Sequence, residues 1–300
     1  MRLSQFSTTD GTKNWGVDTS TVANFDHLLA AYGDYVYCQG DSEETIQKRA
    51  RVDGALVWQK DFNIYGHTSQ KILVDNQGNI YTQKSGNVYK YNSDGNLVWT
   101  CDVIAEDATN LLLKDVMPDG SKILVVFDKI YVISSGELEL TIEDAQLGAV
   151  LHGDFKINSE GDIIGSIQQG GFYYYVRKYD GSDGSTLWTS SLMIPLSGVG
   201  LCFDTSGNVW VVAKSVSPAG PTSSKLYKLG KNTGNTLITS VDTIAYPQAI
   251  LPISNGNIVV IGYNSDTDVL TIDIRDGNAI QLDSENHANI TEYNSAVIAV

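Results

Sequence analysis

Basic residues are scarce in this chain: 20 Lys and Arg stand against 35 Asp and Glu, a formal net charge of −15 over 300 residues. Nucleic acid and anionic membrane surfaces both need basic patches on a partner, so this balance argues against either. Cysteine is scarce too. The three thiols, Cys38, Cys101 and Cys202, form an odd set without metal-ligand spacing and give no sign of a disulfide framework. Each lies in or beside an apolar run (YVYCQ, VWTCD, GLCFD), where a thiol packs as a small apolar group. No apolar run approaches the ~20 residues that cross a bilayer. The first residues, MRLSQFSTTDG, lack the apolar core of a signal peptide. These absences lead us to expect no membrane insertion, and a location in a virion or otherwise in a cytoplasm. The catalytic signatures GxSxG, HExxH and GxxxxGK[ST] are missing. Carboxylates are too many for a glycosidase pair to be singled out. The chain is therefore expected to be no enzyme and to hold no cofactor. Apolar residues at i, i+3, i+4 and i+7 are nowhere sustained, which disfavours a helical solenoid.

The chain does contain a repeat of about a dozen residues: an apolar–polar alternation, a Gly-containing turn, then Trp or an aliphatic residue. Its copies end at Trp15, Trp58, Trp99, Leu140, Trp188, Ile238 and Ile280, in steps of 41 to 50 residues. A near-constant period in this range is the signature of a propeller with one four-stranded sheet per repeat. The interior of a period agrees: KILVD, NQG, NIYTQ, NVYKY and LVWTC read as short β-branched and aromatic runs parted by turn residues. With strands lettered A to D from the inside outward, strand A falls at Lys71–Asp75, Leu111–Val116, Asp154–Asn158, Gly200–Asp204 and Ala249–Ile253. The seven terminal residues are expected to pack between blades.

The chain starts inside a C/D hairpin (LSQF, KNWGV) and ends in HANITEYNSAVIAV, which reads as strands A and B. Pairing these two halves would close a ring and conceal its sheet edges. The expected fold is thus all-β, a seven-bladed β-propeller of four-stranded antiparallel blades. Residues 1–300 form its single domain, with the N-terminal C/D strands pairing with the C-terminal A/B strands.

LYKLGKNTGNTLI, VRKYDGSDGSTLW and VYKYNSDGNLVW resemble the pyrroloquinoline-quinone (PQQ)-type propeller repeat, whose consensus is similar to LYALDAKTGKLLW. The resemblance covers nearly the whole chain and implies a propeller. It extends to non-catalytic outer-membrane assembly factors. Quinoproteins usually carry eight blades and a pair of adjacent cysteines near the cofactor. No two cysteines are adjacent here, so the non-catalytic branch is implied.

A site is expected on the face bearing the D-to-A and B-to-C connections, because the repeats differ most there and variable loops on a rigid scaffold carry binding function. Its candidate residues are Asp61, His67, Asp102, Glu106, Asp107, Glu143, Asp144, Ser217, Pro218 and Pro221. The last three lie in the irregular stretch Ser215–Ser224, and Gln168–Gly171 is a second such stretch. The D-to-A connections hold eleven acids, also counting Asp18, Asp26, Asp242, Asp283 and Glu285, against one base, Lys60. Such a surface suits a basic partner or cations, and it equally serves solubility. The acidic pairs lack the D-x-[DN]-x-[DN]-G pattern of a calcium loop. The four histidines, His27, His67, His152 and His287, lie near entries to strand A at unequal offsets, so no metal site is expected from them.

These features point to a non-catalytic structural or interaction module in a larger assembly, such as a bacteriophage virion at a tail accessory, nozzle or host-contact position. Its partners would be other protein chains, through a basic surface, or a host glycan. A glycan-binding or polysaccharide-active propeller and a cellular scaffold of the outer-membrane-assembly type are the alternatives.

Overall fold

The computed structural model describes residues 2–6, 13–18, 29–39, 45–62, 72–104, 111–144, 153–169, 173–191, 194–217, 220–221, 224–243, 247–253, 256–264 and 269–287. Every element among them longer than a single turn is a strand. A first hairpin joins β1 (Arg2–Phe6) to β2 (Lys13–Asp18). Three four-stranded antiparallel sheets follow. The first contains β3 (Leu29–Tyr32), β4 (Tyr35–Gln39), β5 (Thr45–Ala50) and β6 (Leu56–Asp61). The second contains β7 (Leu73–Val74), β8 (Ile80–Lys84), β9 (Asn87–Tyr91) and β10 (Leu97–Asp102). The third contains β11 (Leu112–Val116), β12 (Ile123–Val126), β13 (Ile130–Ser134) and β14 (Glu137–Ile142).

The fourth blade is β15 (Phe155–Ile157), β16 (Ile163–Gln169), β17 (Tyr173–Tyr179) and β18 (Thr186–Thr189). The fifth is β19 (Ile194–Phe203), β20 (Val209–Ser217), β22 (Lys225–Leu229) and β23 (Thr236–Asp242), with the two-residue β21 (Gly220–Pro221) paired to the end of β20. The last is β24 (Pro247–Pro252), β25 (Ile258–Asn264), β26 (Val269–Arg275) and β27 (Gln281–His287). The start of β19 also pairs with β17, which joins the fourth and fifth blades into one sheet. The chain divides into two compact units, one of described residues up to Thr141 and one from Ile142 onward.

The fold is an all-β propeller of six four-stranded antiparallel blades. The expected seven is overturned: β1 and β2 make a two-stranded sheet, and no seventh four-stranded sheet occurs among the described residues. The strands expected to complete that hairpin fall in residues 288–300, outside the described residues.

Burial explains why these sequences take these places. Inner strand β12 (ILVV) is buried at every position, as a strand covered on both faces must be, and so reads as an unbroken apolar run. The outermost strand of the same blade, β14 (ELELTI), is exposed at four of its positions and tolerates Glu. Turns use a second rule. Asp75 Oδ1 accepts the main-chain N–H groups of Gln77 and Asn79, each at 2.9 Å, and so closes the A-to-B turn on itself. Asp204 repeats this with Ser206 and Asn208, and Asn158 with Glu160 and Asp162.

The outer hairpins share a bulge. Trp58, Trp99, Trp188 and Ile238 lie opposite Lys48, Lys90, Lys178 and Lys228, with a register shift between each of these pairs and the next pair toward the turn. Four residues before each comes a glycine of positive φ: Gly54, Gly95, Gly184 and Gly234. In the last blade the positive φ falls on Ala279, at +65°, and Asp283 lies opposite Ile274. The repeat position is therefore Asp283, and Ile280, expected to pack between blades, is 61% exposed.

Candidate functional site

The blades are tied together before any site can be considered. Trp99 is packed beneath Gly136 of the next turn, where a Cβ would come within 3.0 Å of its Cγ. Trp188 lies beneath Gly234 in the same way and donates its Nε1–H to Lys231 O at 2.9 Å. Trp58 packs against the cluster around Tyr37, Phe62 and Tyr91, and Ile238 against that around Trp210 and Ile250. Leu140 is half-buried, and Trp15 lies in β2 opposite Gln5. The strand-C lysines bond within their own blade, as Lys178 does, across to the next, as Lys48 does, or both, as Lys228 does. Lys48 Nζ reaches Ser93 O at 3.0 Å, Lys178 pairs with Asp162 at 2.6 Å, and Lys228 pairs with Asp204 at 3.1 Å and with Gly277 O at 2.8 Å.

The D-to-A ends place the expected site residues unevenly. Asp61 and Asp102 are the last residues of β6 and β10, both exposed, opposite Thr45 and Asn87. Glu143 is exposed, and its neighbour Asp144 is half-buried and held by two partners. Its Oδ2 receives Arg177 Nη1 and, at 2.9 Å, the hydroxyl of Tyr179. Burial and the Asp144 carboxylate push the Tyr179 hydroxyl well above the usual phenol range. Asp144 thus anchors the fourth blade and is not a loose surface acid. His67, Glu106, Asp107 and Pro218 lie outside the described residues. Ser217 ends β20 and Pro221 ends β21, in the pairs Ser217↔Gly220 and Val216↔Pro221. The stretch expected to be an irregular loop is therefore partly a strand extension. Gln168 and Gln169 likewise belong to β16, facing Tyr174 and Tyr173.

No group of three or more His, Cys, Asp or Glu able to hold a metal occurs among the described residues. The thiols are buried, and burial pushes Cys38 up to about 12 and raises Cys101 and Cys202. Such thiols stay protonated and are poor nucleophiles.

Sequence reasoning missed a second feature. The outer strands show aliphatic side chains to solvent at equivalent places: Leu56 and Val57, Leu97 and Val98, Leu138, Leu187, Leu237 and Leu282. The signal is present in the paired aliphatics before Trp58 and Trp99, Leu56–Val57 and Leu97–Val98.

Fold and site together define a PQQ-type propeller of the BamB kind. A family model described as outer membrane protein assembly factor BamB matches residues 1–155, and the chain belongs to that family. No curated protein matches the sequence. Among solved structures, BamB from Moraxella catarrhalis is similar over 96% of this chain and 80% of its own, at 13% identity and a TM-score of 0.53. Kuenenia stuttgartiensis hydrazine synthase is similar over 85% and 78%, at 12% identity and 0.64. The WD40 β-propeller domain of Doa1 is similar over 86% and 81%, at 16% identity and 0.59. At these identities the likeness is one of fold.

Proposed function

We propose that the protein is a non-catalytic interaction module that works as one subunit of a larger protein assembly. The observation that carries this reading is membership, over residues 1–155, of a family described as an assembly factor. The chemistry of the described residues is in keeping with it. The buried Asp75 and Asp204 and the half-buried Asp144 are engaged in turns and with Lys, Arg and Tyr partners, and the buried thiols are held protonated. A scaffold needs such internal ties, whereas general acid–base chemistry needs groups left to titrate toward a substrate.

The family description favours an assembly that handles outer-membrane proteins. A bacteriophage virion component is the second reading, favoured by a composition with 28 Gly and 16 Tyr but only 20 Lys and Arg. Isolation of the endogenous protein without denaturant, followed by mass spectrometry of what accompanies it, tests both. Envelope-assembly subunits in fixed ratio are expected on the first reading, capsid or tail proteins on the second. A chain that comes alone and turns over a polysaccharide would overturn the non-catalytic module altogether.

A further inference from the structure

In the first two blades, the outward side of the molecule combines three observations. β6 and β10 are each the last strand of their sheet, and no strand pairs with their outer edges among the described residues. Beside those edges stand aliphatic side chains that a monomer gains nothing by exposing: Val52 at 82%, Leu56 at 51%, Leu97 at 53% and Val98 at 55%. The two places adjoin, because Lys60 of β6 donates to Asp94 O and to Asn96 Oδ1 in the turn that leads directly into Leu97.

Charge then selects the occupant. The basic groups of this region are turned onto carbonyl oxygens: Lys48 on Ser93, Lys60 on Asp94, Arg49 on Gly54 and Arg51 on Gly33. The acids at the two ends of the strands, Asp53 and Asp61, Asp94 and Asp102, remain exposed. Aliphatic residues at the start of each strand, with an acid before them in the turn and another at the strand's end, call for a partner with the complementary pattern. This arrangement also disfavours a second copy of this chain, whose own acids and net charge of −15 would be set against it.

We propose that β6 and β10, with the turn carrying Val52, form a docking edge for an extended segment of another protein in which aliphatic residues alternate with Lys or Arg. Main-chain groups of the segment add to the open strand edge, its aliphatic residues cover Leu56, Leu97 and Val98, and its cations meet Asp61 and Asp102. The inference rests on the reading of the protein as an interaction module and assigns that module a surface.

The test uses the full chain and a synthetic peptide of alternating Val and Lys, followed by fluorescence anisotropy. Controls are peptides of alternating Thr and Lys and of alternating Val and Glu. The Val–Lys peptide is expected to bind, more weakly as salt rises, and to slow amide exchange in β6 or β10. Leu97→Thr with Val98→Thr places β-branched, strand-favouring residues at both positions and is expected to weaken it roughly tenfold. Asp61→Asn with Asp102→Asn should remove most of the salt dependence. Absence of binding, equal binding of the Val–Glu peptide, or unchanged affinity in the Leu97/Val98 variant would overturn the docking edge. Native partners that stay on the Leu97/Val98 variant would overturn this edge and leave the module reading standing, whereas a wild-type protein without partners would remove the reading itself.

Discussion

In the C-to-D turns at Gly136 and Gly234, a left-handed glycine carries a hydrogen where a Cβ would press on the Trp of the preceding blade. Gly33, in the A-to-B turn between β3 and β4, and Gly234 separate the backbone demand from the packing demand. Both have positive φ, but a Cβ on Gly33 meets nothing within 4 Å, while one on Gly234 would come within 2.5 Å of Trp188 Cε3. Gly33→Ala should cost about 1–2 kcal/mol for the backbone alone. Gly234→Ala should cost about 1–3 kcal/mol more, from overpacking. Urea unfolding of the two variants checks this, and equal losses would mean that the Trp188 contact is soft. The same position shows why a residue-level reading of the sequence went astray in the last blade. Gly277 marks the turn by its type, yet the left-handed conformation falls on Ala279. The apolar residue that ends the sequence motif, Ile280, follows Gly277 by three residues, whereas the position four after the left-handed Ala279 is Asp283.

At the scale of the element, the A-to-B turns are small electrostatic units. Burial works to raise the Asp204 carboxyl, but the hydrogen bonds from Asn208 and Lys228 outweigh it and hold the group below its ordinary value. A carboxyl lowered in the fold contributes stability in full above its unfolded value and loses it as pH falls through the lower folded one. Acid titration of the urea midpoint from about pH 5 downward should therefore show a fall in stability that Asp204→Asn flattens. An unchanged slope in the variant would assign the fall to other carboxylates. Gln83 offers a second test, because its amide spans to the next blade, donating to Leu111 O and accepting from Leu113 N. Gln83→Met leaves both buried main-chain groups without a partner and should cost about 2–4 kcal/mol, read from the same unfolding curves.

The elements themselves were largely legible, because alternation, turn residues and period are local properties. Expected strand A at Leu111–Val116 is β11 at Leu112–Val116, and that at Asp154–Asn158 is β15 at Phe155–Ile157. Ser215–Ser224 was misread because Ser, Pro and Gly describe a loop by composition, while β20 and β21 pair through main-chain groups that composition does not report. The capture of Asp144 by Arg177, 33 residues further on, was likewise out of reach of any local pattern.

For the whole molecule, the propeller class was readable from the repeat but the blade count was not. A hairpin is two strands and a blade is four, so a count of hairpins credits β1 and β2 with a blade that is not completed among the described residues. Burial of the thiols gives a prediction at this scale. Cys38 and Cys202 should resist a thiol reagent in the native protein, and all three cysteines should react once it is unfolded. Rapid native labelling of Cys38 would show that the first blade opens readily.

An interaction module has to work in company. Native mass measurement of the endogenous protein, released without denaturant, is the most direct test. The prediction is a particle heavier than one chain, with other protein subunits in fixed ratio. A homogeneous single-chain species, with no subunit lost on release, would contradict it.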